Sequence, residues 1–135
     1  MPKQFVNPAE LVKPRGFNHG VVTTGGRILF LAGQDGSNSE GRIAAPGDLV
    51  AQFEQTLNNL RAVVEAAGGT TADVIKLNIF VKDRDDYKAN LKPLGAAWQR
   101  VFGKEYPAMA LFEVGGFFND EALVELEGFA HLEDD

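Results

Sequence analysis

Leu123-Val124-Glu125-Leu126-Glu127-Gly128-Phe129-Ala130-His131-Leu132 alternates with a period of two, the mark of a β-strand whose successive side chains point to opposite sides of a sheet. Val124, Leu126, Gly128, Ala130 and Leu132 fall on one side and form a plain core face. The other side carries Leu123, Glu125, Glu127, Phe129 and His131, acids set among large apolar groups. A wet face would have no use for Leu123 and Phe129, and a dry one would need partners for the carboxylates. A mixed face of this kind fits a subunit boundary or a ligand cleft. The alternative is the ordinary solvated side of an antiparallel sheet.

Working outward, Val74 to Val81 repeats the pattern, with Ile75, Leu77, Ile79 and Val81 on one face and Val74, Lys76, Asn78 and Phe80 on the other. Between the two lies a helix with Tyr87, Leu91, Leu94, Trp98 and Val101 on one stripe and Gly103 at its end. Pro93 cannot donate an interior helix bond, so a kink or restart is expected near Asn90. Upstream, Asp48 can cap a helix whose apolar stripe is Leu49, Phe53, Leu57, Leu60, Val64 and Ala67, closed by Gly68-Gly69. Val21 to Thr24 and Arg27 to Ala32 read as a hairpin turned by Gly25-Gly26. Residues 33–47 read as a loop and Pro107 to Val114 as a further strand. One sheet with both helices on one side satisfies every apolar stripe and leaves the opposite face uncovered, which predicts self-association.

With 135 residues, 44% hydrophobic and 24% charged, the chain fits a single domain, residues 1–135, with one core. A net charge of −6 argues against non-specific nucleic-acid binding, which needs cations to displace phosphate counterions. The chain has no cysteine, which rules out disulfides and thiolate zinc sites and makes the cytoplasm the default location. Met1 to Pro8 has no signal-peptide apolar stretch, and no run of ~18 apolar residues suits a membrane span. Glu127 and His131 share a strand face but fall short of the three or four ligands a metal needs, so neither metal nor other cofactor is expected.

Six pieces in order carry a family resemblance over nearly the whole chain. They are Phe17-Asn18-His19-Gly20-Val21, Leu31-Ala32-Gly33-Gln34, Gln55-Thr56-Leu57-Asn58-Asn59-Leu60 running into Ala66-Ala67-Gly68-Gly69, Val74-Ile75-Lys76 through Val81-Lys82-Asp83, Tyr106-Pro107-Ala108, and Val124-Glu125-Leu126-Glu127-Gly128-Phe129-Ala130. Together they resemble the Rid family of enamine and imine deaminases, also labelled YjgF or L-PSP endoribonuclease. The resemblance implies an α+β, chorismate-mutase-like fold: one mixed sheet with two helices on one face, assembled as a homotrimer with ligand clefts between subunits. It also implies a small-molecule metabolite as substrate, an imine or enamine hydrolysed to a keto acid and ammonia. The older label implies RNA cleavage, which the acidic charge does not encourage.

The family pattern places an arginine after the Pro-Ala pair, where it clamps the substrate carboxylate; this chain has Met109 there. A thioether cannot reproduce the two-pronged guanidinium grip, and it makes the cleft wall apolar and adaptable. The serine that precedes Gly-Gln in the family is Ala32, and a small polar position near the arginine is Leu111. Phe17 stands where tyrosine is usual, and Gly33, Gln34 and Glu125 match the pattern. Glu125, in a partly apolar cleft shared with Met109 across a subunit boundary, is assigned proton delivery to a leaving amine through water. The alternative for Glu125 is an ion pair with Lys76 or with a base from a neighbouring subunit. Arg15 is assigned the grip on an anionic substrate and His19 a part in proton transfer. The competing reading of the whole chain is a trimer that binds a metabolite, or scaffolds another protein, without turnover.

Overall fold

The computed structural model describes residues 3–134; Met1, Pro2 and Asp135, which belong to the expected 1–135 domain and the N-terminal reading, lie outside the described residues. A four-stranded sheet runs in the order β3 (Arg27–Gln34), β6 (Val124–Leu132), β4 (Val74–Val81), β5 (Ala108–Glu113). The quoted strand is therefore central. It pairs antiparallel with β3 and β4, whereas β4 and β5 run parallel, which makes the sheet mixed. A separate ribbon joins β1 (Gln4–Val6) to β2 (Gly20–Val22).

The ribbon corrects the expected hairpin. Gly25 and Gly26 both take φ of 67°, the positive values a tight turn needs, yet β2 pairs with β1 and not with β3. The turn chemistry reports local backbone and leaves the strand's partner undetermined. Ile75 is a second correction. A bulge between Val74 and Lys76 breaks the period of two, so Val74 is buried with Leu77, Ile79 and Val81 while Ile75 leaves the core face. Gly128 opposite has no Cβ, which is what lets the Lys76 carbonyl press in there.

Two helices cover one side of the sheet. α1 (Leu49–Ala66) begins at Asp48, whose side chain accepts from the Ala51 amide, and ends where the Gly69 amide reaches back to the Val64 carbonyl at 2.9 Å. Its buried stripe is Leu49, Phe53, Leu57, Leu60 and Val64, as the spacing predicts, with Gln52 and Thr56 buried among them, while Ala67, expected to extend the stripe, is the half-buried C-cap. The second helical stretch breaks at Asn90 into α2 (Arg84–Ala89) and α3 (Leu91–Phe102), which places Pro93 in the first turn of α3, where its missing N–H is tolerated. Gly95, inside α3, costs that helix about 1 kcal/mol relative to alanine.

Gln52 fastens two loops to α1. Its amide donates to the Ala45 and Glu121 carbonyls at 3.0 and 3.2 Å, and its carbonyl accepts from the Leu123 amide at 2.8 Å. Gln52→Leu is expected to destabilise the chain by about 2–3 kcal/mol in urea melts, because three backbone groups lose their partner at a buried position. A loss below about 0.5 kcal/mol would show that those groups find water instead.

Among the described residues no helix covers the other side of the sheet. Ile28 is 61%, Phe30 72%, Phe112 49% and Phe129 39% exposed there. Phe30 meets Phe129 edge-on at 5.2 Å and Phe80 stacks on Phe112 at 5.7 Å, so the aromatics form pairs instead of being scattered singly. Among the described residues no helix is long and apolar enough to cross a membrane.

Candidate functional site

The residues expected at the site fall into two groups on opposite faces of the sheet. Register decides this. Met109 and Leu111 of β5 sit beside Leu77 and Ile79 of β4, whose side chains are buried under the helices. Glu125 of β6 sits beside Phe80, on the helix-free side. Within one chain the sheet itself separates Met109 from Glu125.

On the helix side, Met109 and Leu111 line an apolar cavity of about 490 Å³ together with Arg15, Phe17, Phe53, Ile79, Tyr87, Leu94, Gly95, Trp98 and Tyr106. The 15–17 segment is brought there by Asn18, whose amide donates to the Pro107 carbonyl at 3.0 Å and whose side chain donates to the Tyr106 carbonyl at 2.5 Å. Trp98 stacks on Tyr106 at 5.5 Å and its indole N–H donates to the Glu105 carbonyl, which fixes that wall. Phe53 meets Tyr87 edge-on at 6.2 Å, and burial pushes the Tyr87 phenol above its usual value. Arg15 is exposed at the rim and makes no ion pair among the described residues.

His19 stands beside this cavity rather than in its wall. Its ring meets Phe17 edge-on at 5.1 Å, and its Nε2 lies 2.7 Å from the Val12 carbonyl oxygen. That carbonyl can only accept, so Nε2 carries the proton of this contact. Asn90 does not enter the cavity wall, since its side chain donates to the Asp86 carbonyl and carboxylate at 2.8 and 3.0 Å and closes α2.

On the other face Glu125 lies against Gly33, where a Cβ would collide with its carboxylate; glycine is what permits the approach. A bulge between Leu31 and Gln34 bends β3 at this point and pairs Gln34 with Leu126, a core residue, so Gln34 falls on the helix side of the sheet and not on the face of Glu125. Asp35 is next, its carbonyl held by Asn59 of α1 at 3.0 Å. Burial, and then the negative charges of Asp35 and Glu127, hold the Glu125 carboxyl above the ordinary 4.5. Lys76 forms no ion pair with Glu125 among the described residues; it aligns with Phe129, while Asn78 donates to Glu127 at 3.4 Å. A carboxyl so placed can carry a proton closer to neutrality than a free one.

Tyr87, Trp98 and Tyr106 were legible only in part. Tyr87 and Trp98 belong to the apolar stripe of α2 and α3, a pattern that reads as core. The signal that distinguishes them is Gly95, a residue without a side chain amid that stripe. His131, which shares a strand face with Glu127, donates from Nε2 to the Gly25 carbonyl oxygen at 2.7 Å and so braces the turn before β3.

Residues 9–132 match the family described as endoribonuclease L-PSP. The chain is 33% identical over 129 residues to the RutC family protein UK114 of Drosophila melanogaster, an alignment spanning 95% of this chain and 88% of that protein. Among solved structures it is similar to a protein of unknown function of the conserved Rid family, YyfB from Yersinia pestis, with a TM-score of 0.87 and 33% identity, covering 98% of this chain and all (100%) of that one. The YjgF gene product of E. coli superposes with a TM-score of 0.68 at 31% identity, covering 93% of this chain and 92% of that chain.

Proposed function

We propose, from the premise that this chain belongs to the endoribonuclease L-PSP family, the Rid/YjgF/UK114 group, that it is a homotrimeric hydrolase of small imines or enamines with its sites shared between subunits. Family membership supports a small-molecule hydrolase or deaminase role in general terms. The finer reading rests on one observation: Met109 and Glu125 lie on opposite faces of a sheet whose helix-free face exposes Ile28, Phe30, Phe112 and Phe129 beside its carboxylates. A neighbouring copy that covers this face brings its own cavity edge, with Arg15, Phe17, Met109 and Leu111, toward Glu125 and Gly33. The charge of −6 runs against RNA as substrate, and the cytoplasm is the location that fits a cysteine-free metabolic enzyme.

The chemistry asks little of the protein. An enamine first takes a proton on carbon to become an imine. Water then adds to the C=N carbon, the nitrogen gains protons, and the carbinolamine collapses with C–N cleavage, so that imine plus water becomes ketone plus ammonia. Glu125 in its protonated form hands a proton to nitrogen and is restored from the attacking water. Arg15 at the rim holds a substrate carboxylate from a direction that Met109 cannot serve, and His19 stands by to relay protons through Nδ1.

The test is ammonia and keto-acid release from imines generated in situ from amino acids by an amino-acid oxidase. Turnover is expected, with Arg15→Ala raising KM by about 10- to 100-fold, the worth of a charged hydrogen bond. Unchanged KM removes Arg15 from the site. A second reading is favoured by the apolar wall at Met109 and Leu111: a trimer that holds a metabolite without converting it, or scaffolds another protein. Ligand-induced thermal stabilisation with no ammonia from any imine would support that reading and end the hydrolytic one.

A further inference from the structure

Gly95 has no structural reason to be glycine. It lies in the interior of α3, its φ is not among the positive ones, and a Cβ built on it meets nothing within 4 Å. Alanine would therefore fit without strain or collision and would strengthen the helix. The space that a side chain would take is part of the cavity above Met109. That cavity, at about 490 Å³, is far larger than a three-carbon imine needs, given that a dry cavity of about 150 Å³ already holds benzene. Its walls are aromatic and aliphatic, and Arg15 at the rim is a cation without an ion-pair partner among the described residues.

We infer that this cavity receives the apolar body of the ligand, an aromatic ring or branched chain carried on a carboxylate, and that Gly95 sets the size it admits. The inference rests on the cleft reading above for the location of the reacting end, with Arg15 facing the carboxylate and the ring lying under α3 against Trp98. Such a ligand is the imine of a bulky amino acid rather than of serine or alanine. Specificity then comes from absent atoms: a helix position left bare where packing would accept a methyl group.

Trp98 is the single tryptophan of the chain and lines the cavity, so its emission reports occupancy without any turnover. Titration of the intact protein with 3-phenylpropionate and with propionate is expected to give saturable emission changes, the aromatic acid binding about 10- to 100-fold tighter. Gly95→Leu should abolish that preference, and Gly95→Ala should weaken the aromatic acid several-fold while its melting temperature stays level or rises. Equal affinities in the unaltered protein, or unchanged binding of 3-phenylpropionate by Gly95→Ala together with Gly95→Leu, would overturn the inference. Should Gly95→Leu not fold, the alanine variant decides alone. Size preference without ammonia from any imine would leave this inference standing and sink the hydrolase; ammonia from the alanine-derived imine without size preference would do the reverse.

Discussion

Glu125→Gln is expected to lower kcat/KM for imine hydrolysis by about 10²- to 10⁴-fold, the usual contribution of a positioned acid or base, and at the same time to raise the melting temperature at neutral pH. Both effects come from the same surroundings. Burial, Asp35 and Glu127 hold the Glu125 carboxyl above 4.5, so the folded chain keeps that proton more tightly than the unfolded chain does. The corresponding stability is fully present below the unfolded value, about 4.5, and is lost as pH rises through the higher folded value. Above it the native protein carries a partly desolvated carboxylate between two like charges. Glutamine keeps the shape and removes the charge. Thermal melts from pH 4 to 8 should therefore show the variant gaining on the native protein as pH rises, with no difference at the acid end. Full activity in Glu125→Gln would reduce Glu125 to structural electrostatics, whatever the melts show.

Phe30→Glu should break the assembly. In a lone chain Phe30 is 72% exposed, so exchanging it asks little of the fold. In a trimer that covers this face, the same change removes about 1.5–3 kcal/mol of apolar burial per copy and places a charge at each dry contact. Light scattering is expected to read three times the 14.6 kDa chain mass for the native protein and one chain mass for the variant. Circular dichroism should remain native while imine turnover disappears, because in the proposed trimer each cavity is completed by the Glu125 of another copy. A native protein that scatters as a single chain at micromolar concentration would leave Met109 and Glu125 on opposite faces with nothing to join them.

Much of this architecture is written in local patterns. The two-residue alternation of Val124 to Leu132 orders its core and outer faces as observed, and the stripe from Leu49 to Val64, with Asp48 before it, marks α1. The proline at 93 foretells the break at Asn90. What local pattern cannot supply is the partner of each element. Gly25-Gly26 reads as a hairpin turn and turns the chain, yet β2 pairs with a three-residue strand at Gln4–Val6 that is too short to carry an alternation of its own. Ile75 obeys the apolar pattern but is displaced by a bulge that depends on the approach of Gly128 from another strand. Gln52 is polar in the sequence and buried in the fold because the two loops it fastens arrive from residues 45 and 121 to 123.

The site follows the same division. Family-patterned residues mark the candidate positions, and the spacing of Met109, Leu111 and Glu125 along their strands is enough to place each on a face once register is known. The cavity is different. It is made by the meeting of α3, β5 and the 15–17 segment, and its most informative residue has no side chain at all.

The strip bearing Arg15 and Phe17 belongs to the stretch between β1 and β2, outside the four-stranded sheet, and is moored to it by Asn18. On the function proposed above, recognition is carried on trim rather than on timber. Substitutions in that strip can retune what the protein accepts while Leu57, Leu77 and Leu126 go on holding the frame, which lets one scaffold diversify its chemistry without being refounded each time.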